Sequence, residues 1–274
     1  MKPSPISTTQ QNKAVLVTGA AKRLGREIAL EFARQGWDVA VHYGQSEVDA
    51  RATVEEIHKL GCRAQAFKAN LANEAEIKSL FVAVSTQFEN LHCLVNSASI
   101  FQYDRAHSET PLSSASLQEH MQVNLAAPIL LSQLMFEYQK KRVNEVLPSV
   151  IQVLDQKLIN LNPDYLSYTL SKSALLTSVE ILAMDFAPCL RVVGLAPGIS
   201  LPSGDQTDDG FAKAHQMTPL GKSSAPSDVA TAAVFLAQAN SITGTTLYVD
   251  GGQHLLPSIR DVMFKTNWAS KLIN

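Results

Sequence analysis

The chain has 274 residues, with 23 Lys and Arg against 25 Asp and Glu and a formal charge of −2 at pH 7. Its length suits a large α/β domain with an extensive core, and the balanced charge argues against a broad surface for phosphate backbones or anionic lipid. Neither nucleic acid nor membrane is therefore expected as a partner, and no run reaches the roughly 20 apolar residues that a spanning helix needs.

Residues 1–12 are polar and contain proline, without an apolar stretch of the signal-peptide kind; they are read as a disordered N-terminal tail. Cys62, Cys93 and Cys189 show neither the paired spacing of a metal site nor the density of a disulfide scaffold. They read as small buried hydrophobes in a reducing, cytoplasmic setting, and no metal is expected. From residue 13 onward short apolar runs alternate with longer helical patterns, the arrangement that builds a parallel sheet with helices on both faces. Strands are predicted at 14–18, 39–43, 63–68, 93–96, 150–154, 191–196 and 245–249, and helices at 24–35, 47–60, 74–88, 117–141, 165–187 and 227–237. Seven strands and six helices over 13–274 fit one doubly wound, Rossmann-type α/β domain. The most loop-like stretch is 201–213, with Pro202, Gly204 and Asp208-Asp209-Gly210. It follows the sixth strand's carboxyl end, where open α/β sheets bind ligands, so a substrate loop near 199–215 and an inert polar loop both fit it.

The first strand runs into Thr18-Gly19-Ala20-Ala21-Lys22-Arg23-Leu24-Gly25, and an amphipathic helix follows at once. Glycines in such a turn let the backbone approach a pyrophosphate, and the helix N-terminus offers free N–H groups and a positive dipole end. A glycine pair alone fits an ordinary strand-to-helix turn; its place on the first strand points to a dinucleotide site. The second strand ends His42-Tyr43-Gly44-Gln45-Ser46, without the acid that would hold an adenosine 2′-hydroxyl and repel a 2′-phosphate. With Lys22 and Arg23 in the turn and the Ser46 hydroxyl at a helix start, NADPH is the expected cofactor.

Tyr168 and Lys172 stand four residues apart on one predicted helix and so share a face. A nearby ammonium, together with the positive ring of an oxidised nicotinamide, is expected to lower the phenol pKa toward the working range. With the glycine turn, Asn96-Ser97-Ala98, Asn124, Pro197-Gly198 and Asp250-Gly251-Gly252, the pattern over 13–252 resembles the short-chain dehydrogenase/reductase superfamily. The resemblance implies that Asn124 serves the lysine through a water or backbone link. It implies cofactor contacts from Gly19, Lys22, Arg23, Leu24, Gly25, His42, Tyr43, Ser46, Asn70, Leu71, Ser97, Ala98, Ser99, Tyr168, Lys172, Pro197, Gly198, Ile199 and Ser200.

Two departures from the superfamily's commonest form resemble pteridine reductases: Arg23 stands where many members carry glycine, and the fifth strand leads to Asp155 where carbonyl reducers usually carry serine. The Asp155, Tyr168, Lys172 set and the aromatic Phe101 after the fourth strand are similar to that family's pattern. By this resemblance the substrate is a pterin or folate, reduced from dihydro to tetrahydro form, with Arg23, Ser99, Phe101, Asp155, Tyr168 and Leu201 around it and a homotetramer as the assembly. An NADPH-dependent carbonyl reductase acting on a 3-oxoacyl group or similar ketone, and a non-catalytic NADPH-binding regulatory protein, are the alternatives.

Overall fold

The computed structural model describes residues 12–107, 111–144, 146–202 and 206–266. Seven parallel strands, β1 (Ala14–Val17), β2 (Asp38–Tyr43), β3 (Ala64–Lys68), β4 (Leu91–Asn96), β5 (Ser149–Val153), β6 (Arg191–Pro197) and β7 (Thr246–Val249), form one sheet in the order β3-β2-β1-β4-β5-β6-β7. The helices are α1 (Arg23–Arg34), α2 (Glu47–Lys59), α3 (Glu74–Gln87), α4 (Ser114–Met121), α5 (Ala127–Gln139), α6 (Leu166–Phe186), α7 (Asp208–Gln216), α8 (Pro226–Gln238) and α9 (Val262–Thr266). This is a doubly wound, Rossmann-type fold.

Strand side chains alternate between faces, and the alternation feeds two cores. Val15, Val17, Val39, Val41, Val95 and Ile151 pack with Ile28 and Phe32 of α1 and Val229 and Val234 of α8. Leu16, Ala40, Leu94, Val150 and Val192 pack on the other face with Leu80 of α3, Leu131 of α5 and Phe186 of α6. Because both faces are covered, the central strands read as continuous apolar runs rather than alternating ones. The order reverses between β1 and β4, and the crevice at such a switch point is where these sheets take ligands.

The structure corrects several boundaries. The helix predicted over 117–141 is two helices joined by a π-helical turn at Gln122–Ala126, with Pro128 in the first turn of α5. The segment read as a loop over 201–213 runs into α7 from Asp208 onward. Asp208-Asp209-Gly210 resembles a turn signal, but the Thr207 hydroxyl accepts the Gly210 N–H at 3.0 Å, acids fill the first turn and Lys213 and His215 the last, all favouring a helix. Short 3₁₀ turns at Gln156–Leu158 and Gln253–Leu255, and α9, were likewise not foreseen. The tail expected over 1–12 lies outside the described residues apart from Asn12, as do 203–205 of the expected substrate loop. Among the described residues no helix is long and apolar enough to cross a membrane.

Candidate active site

A cavity of about 1060 Å³ opens at the carboxyl ends of the strands. At its floor Gly19 holds φ +67° and lies so close to the segment after β4 that a Cβ would sit 3.0 Å from the Ala98 backbone, while a Cβ on Gly25 would meet the Gly19 carbonyl oxygen at 2.4 Å. No side chain caps α1 and no acid occupies its first turn, so its leading N–H groups remain for an anion. The turn is held from two sides. The Thr18 hydroxyl accepts the N–H groups of Ser97 and Ala98 at 3.0 Å each, and Nδ1 of His42 accepts the Gly19 N–H at 3.1 Å. Nε2 of His42 then donates to the Ala69 carbonyl at 3.1 Å, and burial pushes the ring pKa down to about 4; the imidazole is neutral and locked.

Gly19, Lys22, Arg23, Leu24, Gly25, His42, Asn70, Leu71, Ser97, Ala98, Ser99, Pro197, Gly198, Ile199 and Ser200 all line the cavity. Tyr43 and Ser46 are not among its lining residues: Tyr43 alternates away from His42 into the apolar core, and Ser46 sits outside the crevice at the head of α2. Their place at the rim is taken by Gly44, Gln45 and Lys68. The register pairs Tyr43 with Lys68, so β3 brings an ammonium to the end of β2 where no acid stands. Lys22 pairs with Asp49 at 3.0 Å, and Nη2 of Arg23 donates to the Pro202 carbonyl at 2.9 Å, linking the turn to the segment after β6.

On α6 the Tyr168 hydroxyl donates to Oδ2 of Asp155 at 2.9 Å. Asp155 follows β5, and its Oδ1 accepts the Lys157 N–H at 2.8 Å, which fixes the carboxylate toward the phenol. Lys172 is buried, and its ammonium donates to the Val153 carbonyl at 2.7 Å; burial lowers its pKa to about 8, against the pull of Asp155. The expected lowering of the Tyr168 pKa is reversed in the protein alone. Burial and the Asp155 carboxylate hold the phenol well above its ordinary range, because both disfavour a phenolate and the Lys172 ammonium is directed at a carbonyl.

Over residues 19–254 the chain matches the family described as enoyl-(acyl carrier protein) reductase. It belongs to the short-chain dehydrogenase/reductase superfamily. The 3-oxoacyl-[acyl-carrier-protein] reductase FabG of Staphylococcus epidermidis is 30% identical over 257 residues, 89% of this chain and 100% of the relative. The 3beta-hydroxysteroid dehydrogenase 1 of Eggerthella lenta is 32% identical over 265 residues, 91% of this chain and 97% of the relative. The solved structure of FolM alternative dihydrofolate reductase 1 from Brucella canis, complexed with NADP, superposes with a TM-score of 0.82 at 33% identity, covering 91% of this chain and 97% of that one. Its counterpart from Brucella suis, also with NADP, gives 0.82 and 33%, covering 90% and 97%. The chain is thus an oxidoreductase of the short-chain dehydrogenase/reductase type.

Within that frame the Asn124 side chain ties the segment after β4 to α6. It lies fully buried in the π-helical turn, a feature that recurs at functional sites. Its Oδ1 accepts the Ile100 N–H at 2.8 Å and the Ser99 hydroxyl at 3.1 Å, and its Nδ2 donates to the Ile100 carbonyl at 3.0 Å and to Ser171 Oγ at 3.1 Å. With these partners it staples the Ser99–Phe101 segment to α6. Phe101, half-exposed, stacks on Tyr165 with ring centroids 4.0 Å apart and meets Tyr168 edge-on at 4.8 Å. Tyr165 was not foreseen. It is buried, lines the cavity and holds φ +55° immediately before α6, a conformation that costs a non-glycine residue and gathers at functional sites; the Tyr-x-x-Tyr spacing was its only sign. Phe101, Asp155, Tyr168, Lys172, Leu201 and the unforeseen Lys157, Arg260 and Asp261 all line the same cavity.

Proposed function

We propose that this oxidoreductase uses NADPH to reduce the C=N bond of a dihydropterin or dihydrofolate. The observation that carries the reading is the 2.9 Å hydrogen bond from Tyr168 to Asp155, a carboxylate where the superfamily's ketone reducers resemble one another in carrying a hydroxyl. Reducing a ketone needs a proton on oxygen, whereas reducing a ring C=N needs one on nitrogen, and a carboxyl beside the phenol supplies it.

NADPH, when bound, supplies the hydride. The residues present fit it: an uncapped helix N-terminus behind a turn too tight for any side chain at Gly19 and Gly25, and Lys22, Arg23 and Lys68 on a rim without an acid at the end of β2, which suits a 2′-phosphate. The NADP in both FolM structures supports the same choice. Asp155 and Tyr168 deliver the proton to ring nitrogen while hydride reaches the adjacent carbon, and the pair is reprotonated from solvent after each turnover. Lys172 holds a positive charge beneath them, Phe101 offers its free face to the flat ring, and Arg23 spans the phosphate turn and the Pro202 segment. Leu201 and Ser99 complete the substrate side.

We further propose that the enzyme is cytoplasmic and a homotetramer, paired through α5 and α6, since α6 leaves Ile181 and Met184 exposed at 55% and 74%. Light scattering giving a monomer would count against the assembly. The activity is tested by NADPH oxidation with dihydrobiopterin, dihydrofolate and a 3-oxoacyl thioester. Turnover of the first two is expected; turnover of the thioester alone would transfer the chain to the carbonyl reducers, and none with any substrate would leave a binding protein.

A further inference from the structure

The leading N–H groups of a helix have no partner within it, and at α6 the N-cap residue, Tyr165, gives them no side-chain bond. They are taken instead by Asp104, which is 3% exposed and lies in the segment between β4 and α4. The Asp104 carbonyl accepts the Leu166 N–H at 3.1 Å, and Oδ1 accepts the Ser167 N–H at 2.9 Å. Its Oδ2 accepts the Ser167 hydroxyl and, at 3.2 Å, the Ser116 hydroxyl of α4. A carboxylate in this place also meets the positive end of the helix dipole. One residue thus caps the helix that carries Tyr168 and Lys172, from outside that helix.

Asn124 joins the same segment to α6 at Ser171. Ser167 and Ser171 are four residues apart and share a face of the helix, so the stretch from Ile100 to Asp104 is pinned to α6 at both ends. A longer tie, from the Gln102 N–H to Nε2 of His120 at 3.4 Å, holds its middle to α4. Phe101 lies between the pins, stacked on Tyr165 and edge-on to Tyr168. Tyr165, at φ +55°, directly precedes the two amides that Asp104 accepts. All three rings line the cavity, and Asp104 does not.

We propose that Asp104 is a positioning residue: by capping α6 from the segment that carries Phe101, it sets where the Phe101–Tyr165 platform stands relative to the Tyr168 hydroxyl. The inference rests on the reading that a flat substrate ring lies on Phe101 beside Tyr168. Hydride and proton go to neighbouring atoms of that ring, so platform and phenol need a fixed separation, and small misplacements of reacting groups cost rate heavily. A cap that only stabilised α6 would change folding and leave the contribution of Phe101 intact. A cap that acts through Phe101 loses its effect once that ring is gone, which makes the two positions non-additive.

The test uses the full chain as wild type, Asp104→Ala, Asp104→Asn, Ser167→Ala and Phe101→Ala, with Asp104→Ala and Ser167→Ala each also combined with Phe101→Ala. Asp104→Ala is expected to lower kcat/KM for dihydrobiopterin about tenfold with NADPH affinity retained, but less than about twofold when Phe101→Ala is already present. Asp104→Asn keeps an acceptor for the Ser167 N–H and an amide for the two hydroxyls, and should restore most of the rate. Ser167→Ala removes one bond from the helix side and carries the same cycle, with a smaller effect, should Asp104→Ala not fold. Hydrogen exchange reads the link without turnover: in Asp104→Ala the amides of Ile100 and Gln102 are expected to exchange faster together with that of Ser167. A wild type silent toward dihydrobiopterin would overturn the substrate reading, while the exchange still decides this one. Additive losses in the cycle, a matching loss of NADPH affinity, or release confined to the first turn of α6 would overturn the inference.

Discussion

Arg23 holds φ +53°, a left-handed conformation that costs an L-residue roughly 1–2 kcal/mol and glycine nothing. Against that cost stands what Arg23 provides, a guanidinium placed between the phosphate turn and Pro202. Arg23→Gly is expected to unfold at higher denaturant than Arg23→Ala, by about 1 kcal/mol, while both bind NADPH and dihydropterin more weakly than wild type. A loss confined to NADPH would leave only the phosphate role. Asp155 answers to a sharper test. Asp155→Asn keeps the shape and an acceptor for Tyr168 but no acidic proton, so dihydropterin turnover should fall on the order of 10²-fold, the usual scale for removing a general acid, with NADPH affinity unchanged. Wild-type turnover in that variant would remove Asp155 from the chemistry. Phe101 already spends one ring face on Tyr165; Phe101→Ala is expected to raise the dihydropterin KM by the equivalent of about 1–3 kcal/mol of stacking and leave NADPH binding alone.

At the scale of elements, what was legible followed from local periodicity. The strands and α1, α2, α3, α6 and α8 carry unbroken apolar patterns, and the glycine turn and the Tyr168–Lys172 spacing are short-range signals. What was hidden depends on distant partners. The π-helical turn at Gln122–Ala126 exists because Asn124 bonds to Ser99, Ile100 and Ser171, none of which its own neighbourhood announces. Lys68 was hidden because only the pairing of β2 with β3 carries it to the rim, and Tyr43 was misplaced because adjacent strand residues face opposite ways. The segment with Arg260 and Asp261 has no periodicity and is fixed by a buried carboxylate about a hundred positions earlier. Asn124→Ala is expected to cost about 1–2 kcal/mol, since it takes the amide partner from the part-buried N–H and carbonyl of Ile100, and also to raise the dihydropterin KM by freeing the segment that carries Phe101. Denaturant midpoints and steady-state kinetics read the two effects, and unchanged stability would show that water or neighbouring groups replace the amide.

Over the whole molecule, the two cores meet buried histidines at opposite parts of the sheet, and these tie folding to pH. His42 is 2% exposed on β2 and His92 is 5% exposed on β4; burial lowers each to about 4, with the Lys13 charge adding to the effect at His92. In the unfolded chain both titrate near 6.5, so between pH 6.5 and 4 the unfolded state binds more protons than the folded one. Stability from these groups is therefore complete above pH 6.5 and is lost as pH falls toward 4, by about 2 kcal/mol for each at pH 5. The two losses differ in consequence. His92 donates to the Val146 carbonyl at 2.8 Å, which an imidazolium also does, whereas His42 must accept the Gly19 N–H, and protonation of Nδ1 abolishes that bond and releases the glycine turn. NADPH affinity should accordingly weaken along with stability as pH falls through this window. His42→Gln offers one acceptor and one donor without titrating, so its denaturation midpoint should depend less steeply on pH than that of wild type, and a parallel dependence in the two proteins would show that His42 is not the linked group.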